Sequence, residues 1–204
     1  MLLMLKAPVE GQVKTRLARE IGASAAMRAY KILVEHQIRQ VPSEWFVQIC
    51  YAPREAAAMM REWLGEGFDF LPQSNGDLGQ RLTAAVDRHF LNNPSPLIVI
   101  GGDCPYLNCE MFLKVNKQLD VVDAVLVPAV DGGYCLIALR KPQANVFYAI
   151  RWSSETVMAE TRDRMRASGL SWHETEVLED VDDGPSWKRA LTAFPDLENQ
   201  LNRK

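Results

Sequence analysis

Pro94-Ser-Pro-Leu-Ile-Val-Ile-Gly-Gly-Asp-Cys-Pro-Tyr106 opens with turn residues, runs through apolar positions Leu97 to Ile100 and closes on Gly101-Gly102. A short apolar run between turn signals reads as a strand buried on both faces, as in a parallel sheet covered by helices. Asp103 then falls at the carboxyl end of a central strand, where open α/β sheets bind their ligands. Gly101 and Gly102 would let a ligand reach the backbone without meeting a Cβ, and Pro105 ends the strand. On this stretch alone a second reading stays open, in which Asp103 caps a helix starting near Leu107.

Working outward toward the N-terminus, Leu2 to Leu5 reads as a first strand, followed by Lys6-Ala-Pro-Val-Glu-Gly-Gln-Val-Lys-Thr-Arg-Leu17. Pro8 and Gly11 make this a loop. Lys6, Lys14, Thr15 and Arg16 bring three positive charges and a hydroxyl to it. A loop of this kind, leading into a helix, suits a polyphosphate, with Arg16 able to bind it bidentately and the lysines acting as point charges. It is not a Walker loop, and a solvated basic turn is the plainer alternative. Helical spacing follows from Gly22 to Val41, then a strand over Trp45 to Tyr51 and a helix over Pro53 to Leu64. A short strand, Phe68 to Leu71, delivers Asn75-Gly76 and Asp77, a turn and a cap for a helix running to about Phe90. Arg81 lies in the first turns of that helix, where a cation needs an anionic partner, a surface carboxylate or a ligand.

Toward the C-terminus the pattern gives a helix over Glu110 to Leu119 and strands over Asp123 to Ala129 and Cys135 to Leu139. Asp131-Gly132-Gly133-Tyr134 between those strands reads as a hairpin turn, although a turn has no need of the tyrosine. Ser153 or Ser154 is the expected cap of a helix over Glu155 to Ala167, and Ser171 to Leu178 reads as a strand. That strand ends in Glu179-Asp180-Val181-Asp182-Asp183, either a solvated acidic turn or, at a strand end beside a crevice, a divalent-cation site. A last helix, Trp187 to Ala193, precedes a polar tail.

A chain of 204 residues fits one domain whose core needs no disulfide staples. Its net charge of −3 argues against a nucleic-acid or anionic-membrane surface, so any phosphate site must be a local basic cluster. No apolar run reaches the roughly 18–20 residues that a membrane helix requires. The start of the chain carries no signal-peptide pattern. Cys50, Cys104, Cys109 and Cys135 lack zinc-ligand spacing and read as free thiols of a reducing cytoplasm. His36, His89 and His173 fall outside the motifs and read as surface residues.

Taken together, Lys6 to Leu17, Gly76-Asp-Leu-Gly-Gln-Arg-Leu82, Gly101-Gly-Asp-Cys-Pro105, Pro128-Ala-Val-Asp-Gly-Gly-Tyr134, Arg151-Trp-Ser153 and Asp180-Val-Asp182 resemble one family in content and order. It is the DUF2064 family, the bacterial radical-SAM/selenodomain-associated transferase 1 proteins, which are glycosyltransferase- and nucleotidyltransferase-like. The family is similar to the molybdenum-cofactor and phospholactate guanylyltransferases.

The resemblance implies a single domain over residues 1–204 with the three-layer α/β/α nucleotide-diphospho-sugar transferase (GT-A, Rossmann-like) fold and a mostly parallel mixed sheet. It implies a metal-dependent transferase that takes a nucleotide or nucleotide-sugar donor and a small-molecule acceptor, with Mg²⁺ or Mn²⁺ held by Asp103 and Asp182. Asp103, Lys14 and Arg16 would be the catalytic set. Lys6, Gly11, Lys14, Thr15, Arg16, Gly79, Arg81 and Gly102 would serve the nucleotide and its phosphates, and Asp131, Gly132, Gly133, Tyr134, Trp152 and Ser153 the acceptor. The chain departs from the family pattern at Gly102, Ser154 and Asp183, the last adding a carboxylate that could join or compete at the metal. The alternative is a non-catalytic nucleotide- or partner-binding protein that keeps the fold.

Overall fold

The computed structural model describes residues 1–201. Seven strands form one mixed sheet: β1 (Leu2–Lys6), β2 (Gln48–Ala52), β3 (Asp69–Pro72), β4 (Leu97–Ile100), β5 (Ala124–Pro128), β6 (Tyr134–Leu139) and β7 (Trp172–Glu174). Their spatial order is β3-β2-β1-β4-β6-β5-β7, and β6 alone runs antiparallel to its neighbours. The helices are α1 (Thr15–Ile21), α2 (Ala23–Gln40), α3 (Ala57–Leu64), α4 (Leu78–Asn92), α5 (Cys109–Gln118), α6 (Val157–Ala167), α7 (Gly184–Ala193) and α8 (Pro195–Leu201).

All four residues of β4 are buried, as the apolar run predicts. The pleat divides them: Ile98 and Ile100 join the core shared with α2, α3 and α5, while Leu97 and Val99 join the core shared with α4 and α6. Leu2 and Leu3 of β1, Val125 and Leu126 of β5, and Leu136 and Ile137 of β6 divide in the same way. Helices on both faces explain why these strands are continuously apolar rather than alternating. A third cluster, with Leu17, Leu33, Val181, Trp187 and Leu197, packs α1, α2, α7 and α8 together.

From β1 the chain winds outward through β2 to β3, then returns to place β4 on the other side of β1. This reversal makes the carboxyl ends of β1 and β4 a topological switch point, with a crevice beyond them.

Several expectations need correction. Ser153 and Ser154 do not cap α6; Thr156 holds that position without a side-chain cap, and Ser153 has a left-handed backbone (φ 64°). The strand expected over Ser171 to Leu178 is only β7, after which Leu178 makes an isolated parallel bridge to Ala129. The polar tail contains α8, anchored by buried Leu197. His36 is buried, its Nε2 3.2 Å from the Pro105 carbonyl oxygen. Among the described residues, no helix is long and apolar enough to cross a membrane.

Candidate functional site

A cleft of about 600 Å³ opens at the switch point, lined by the ends of β1, β4 and β6, the loop before α1, and the segment after β7. Asp103 lines it. Helix α5 is capped by Asn108, whose side chain accepts from the Met111 N–H at 2.9 Å, so the capping reading of Asp103 falls away.

Two backbone features bring the acidic segment to Asp103. The chain after β7 stays beside β5, with the Leu178 N–H donating to the Pro128 carbonyl at 2.9 Å. The Val181 N–H then donates to the Asp103 carbonyl at 2.8 Å. Val181 is fully buried beneath α1 and α7, and the side chains of Asp180 and Asp182, flanking it, come to the other side, into the cleft. Asp103, Asp180 and Asp182 thereby each offer an oxygen, all within 4.8 Å of one another. By sequence the whole 179–183 run is a candidate cation site, and the resemblance names only Asp182 in it; the structure groups Asp180 with Asp182, as the two-residue spacing in Asp180-Val-Asp182 allows.

Lys14 reaches into this cluster. Its Nζ lies 2.9 Å from Asp103 Oδ2 and 3.0 Å from Asp182 Oδ1, and its side chain is only 5% exposed. Burial alone would lower its pKa, but the two carboxylates and their hydrogen bonds outweigh that and raise it. Lys14 is the residue before α1 and adopts a left-handed backbone (φ 47°, ψ 47°), uncommon for a residue with a side chain. Arg16 stays at the rim, with Nη1 3.3 Å from Asp182 Oδ2 and the side chain 69% exposed. Asp180 has no ion-pair partner among the described residues. Burial, followed by the charges of Asp103, Asp131 and Asp182, pushes its carboxyl up to about 6.

The other wall is aromatic and turn-built. Tyr134 and Trp152 meet edge to face with ring centres 6.3 Å apart, and Asp131, Gly133 and Ser153 stand beside them. In the Asp131–Tyr134 turn, Asp131 Oδ1 accepts from the Gly133 N–H at 2.8 Å, and the Gly132 carbonyl accepts from the Met158 N–H at 2.8 Å. Gly132 lies outside the cleft lining; its φ is 88°, and a Cβ there would sit 2.2 Å from the Glu155 carbonyl oxygen. The turn is a hairpin, and three of its four residues, Asp131, Gly133 and Tyr134, line the cleft.

Lys6 and Thr15 line the cleft, whereas Gly11 is an exposed loop residue (φ 76°) outside it. The Tyr30 hydroxyl, a feature sequence reasoning did not use, accepts from the Lys6 N–H at 3.0 Å and donates to the Lys6 carbonyl at 2.9 Å. Gly102 lines the cleft, but its missing Cβ would point at Leu5 and Val34, 2.7 and 2.6 Å away, so packing alone calls for glycine. Gly79 sits in α4 where a Cβ would be 2.6 Å from Trp152 Nε1. That close approach ties the Gly76–Leu82 motif to the Arg151–Ser153 motif. Asp77 and Gln80 form a capping box at the start of α4, and Arg81 Nε donates to the Gly76 carbonyl at 2.9 Å. Arg81 is outside the cleft lining.

The donor set suits a hard divalent cation: three carboxylates, no thiol or imidazole among the grouped ligands. Asp183, the added acid, is committed elsewhere. It caps α7, with Oδ1 accepting from the Ser186 N–H at 2.9 Å and the Ser186 hydroxyl at 2.7 Å.

Residues 37–154 match the family described as "Uncharacterized protein conserved in bacteria (DUF2064)". The chain belongs to the DUF2064 family. No curated protein matches it. Among solved structures, this DUF2064 protein is similar to one from Desulfovibrio desulfuricans G20 provisionally assigned as a nucleotide-diphospho-sugar transferase. The two are 28% identical with a TM-score of 0.85 over 100% of this chain and 98% of that one. It also shares its fold with a nucleotidyl transferase from Methanothermobacter, at 13% identity and TM-score 0.64 over 96% and 97% of the two chains. A third is Rv0371c of Mycobacterium tuberculosis H37Rv in complex with manganese, at 14% identity and TM-score 0.58 over 94% and 97%. The α/β fold with its mixed sheet is thus that of nucleotidyl- and nucleotide-diphospho-sugar transferases.

Proposed function

We propose that this DUF2064 protein is a divalent-metal-dependent transferase acting on a nucleotide or nucleotide-sugar donor and a small-molecule acceptor. The observation that carries this reading is the convergence of Asp103, Asp180 and Asp182 within 4.8 Å in a cleft that also holds Lys14 and Arg16. Carboxylates and cations facing one another suit a metal–polyphosphate complex. The likeness to transferases supports the class, and the likeness to Rv0371c, solved with manganese, supports the ion.

In this reading the carboxylates hold Mg²⁺ or Mn²⁺, which when bound stabilises the negative charge gathering on the departing phosphate oxygens. Lys14, Arg16 and Lys6, with the Thr15 hydroxyl, bind and orient the donor's phosphates from the β1 side. Asp131, Tyr134, Trp152 and Ser153 hold the acceptor against the opposite wall, where the two aromatic rings also limit water. Alignment of the acceptor with the donor then supplies much of the rate, and no dedicated protein nucleophile is needed. Four free cysteines, three of them buried, suit a reducing cytoplasm.

The test is a product assay with Mn²⁺ and mixed nucleoside triphosphate and nucleotide-sugar donors. Released pyrophosphate would mark nucleotidyl transfer; a released nucleoside diphosphate or monophosphate would mark glycosyl transfer. Asp103→Ala should abolish turnover and weaken Mn²⁺-dependent donor binding at least 100-fold (about 2.7 kcal/mol). Donor binding unchanged in that variant would overturn the reading.

A further inference from the structure

The proposed metal site already contains a cation of the protein's own. The Lys14 ammonium sits between Asp103 Oδ2 and Asp182 Oδ1 at 2.9 and 3.0 Å, in the cluster whose oxygens would ligate the ion. A divalent ion drawing on both carboxylates cannot share that position with an ammonium, because the two cations would lie within van der Waals range of each other in a partly desolvated cleft.

We propose that Lys14 is the resident counter-cation of the carboxylate cluster and that the divalent ion binds by displacing it, releasing the ammonium toward the donor's phosphates. This deepens the metal-dependent reading above and rests on it. Charge balance favours the exchange. Three carboxylates faced by Lys14 and Arg16 leave a net −1, and Asp180 has no ion-pair partner among the described residues. With a divalent ion in place of Lys14, the same carboxylates and Arg16 sum to zero. Lys14 is also buried as a side chain (5% exposed) while its two partners are 38% and 41% exposed, so the carboxylates are open to an arriving ion and the ammonium is enclosed. Lys14 follows buried Val13 and has a left-handed backbone, a strained geometry that suits a residue with two positions.

The consequence is coupling. A metal ion alone must break two ion pairs to enter, and a polyphosphate alone must compete with two carboxylates for the same ammonium. Bound together, each removes the other's obstacle, and by linkage the coupling is reciprocal. Resting protein would then take up free metal weakly and the metal–donor complex strongly.

Two measurements test this. In Mn²⁺ titrations without nucleotide, followed by the electron-paramagnetic-resonance signal of free Mn²⁺, Lys14→Gln should bind the ion at least 10-fold more tightly than wild type. Arg16→Gln removes one positive charge at the rim and should change affinity less than 3-fold, separating displacement from general electrostatics. In wild-type protein, amine methylation read by mass spectrometry should find Lys14 protected without metal and labelled at saturating Mn²⁺. Saturable Mn²⁺ binding with equal affinity in wild type and Lys14→Gln, or Lys14 labelling unmoved by saturating Mn²⁺, would overturn the exchange and leave the metal site standing. No saturable Mn²⁺ binding in either protein would overturn both.

Discussion

The Val181 N–H donates to the Asp103 carbonyl oxygen at 2.8 Å, joining the segment after β4 to the segment after β7 across 78 residues of sequence (181 − 103). With Val181 buried and fixed at that point, Asp180 and Asp182 have only one side on which to project. The carboxylate cluster therefore depends on an apolar residue that touches no ligand. Val181→Ala should cost about 1–3 kcal/mol by leaving a void beside Leu17 and Trp187. In a protein of this size that lowers the melting temperature by roughly 2–4 °C per kcal/mol. Looser Mn²⁺ binding should accompany it, and thermal unfolding together with metal titration checks both.

Asp180 gives a pH dependence of definite sign. Its folded value of about 6 lies above the ordinary 3.8. The folded state therefore holds the proton more tightly than the unfolded chain, and this group favours folding most below about pH 4. That contribution is lost as pH rises through about 6. In metal-free protein, Asp180→Asn should gain about 1–2 kcal/mol over wild type at pH 8, after discounting for partial exposure, and nothing below pH 4. Denaturant midpoints across pH 3.5–8 measure it. A flat difference across that range would contradict the assignment.

How much of this could be read beforehand depended on whether a feature was local. The β4 run, the basic loop after β1 and the Asp77 cap were legible, because apolar length, turn residues and capping chemistry act within a few positions. Asp103 at a strand end and the acidic run at 179–183 were open readings of the residues themselves. The pairing of Asp103 with Asp182 came only through the family resemblance, since no spacing rule predicts that residues 79 apart will meet (182 − 103). The boundary of β7 failed for a tertiary reason, and that of α6 for a local hydrogen bond that the capping pattern does not show. Trp172–Glu174 pairs with β5 only until the chain bends, and Ser154 Oγ donates its hydrogen bond to the Arg151 carbonyl at 2.6 Å instead of capping. The buried position of His36 was hidden because its shielding comes from the Pro105 segment and Phe194, distant in sequence.

Two glycines with positive φ should respond differently to alanine. Gly11 (φ 76°) has nothing among the described residues within 4 Å of the place a Cβ would take, so Gly11→Ala should cost only the left-handed backbone penalty, about 1–2 kcal/mol. Gly132 (φ 88°) would put its Cβ 2.2 Å from the Glu155 carbonyl oxygen, a backbone atom that cannot step aside. Gly132→Ala should cost roughly 3–5 kcal/mol, adding overpacking to the backbone penalty. Chemical denaturation of the two variants side by side gives the comparison, and equal losses would mean that the turn yields freely.

Asp183 stands next to the carboxylate cluster in sequence, and its hydrogen bonds commit it to the start of α7. Its Oδ1 accepts from the Ser186 N–H and hydroxyl, and those hydrogen bonds hold its carboxyl below the usual range. Threonine can make the same cap, so Asp183→Thr should leave stability within about 0.5 kcal/mol of wild type. Asp183→Ala should lose about 1 kcal/mol with the cap. Both should bind Mn²⁺ within 2-fold of wild type, because the Asp183 carboxylate lies outside the Asp103, Asp180 and Asp182 group. A metal affinity that fell 10-fold in both variants would instead make Asp183 a ligand, with its cap broken on binding.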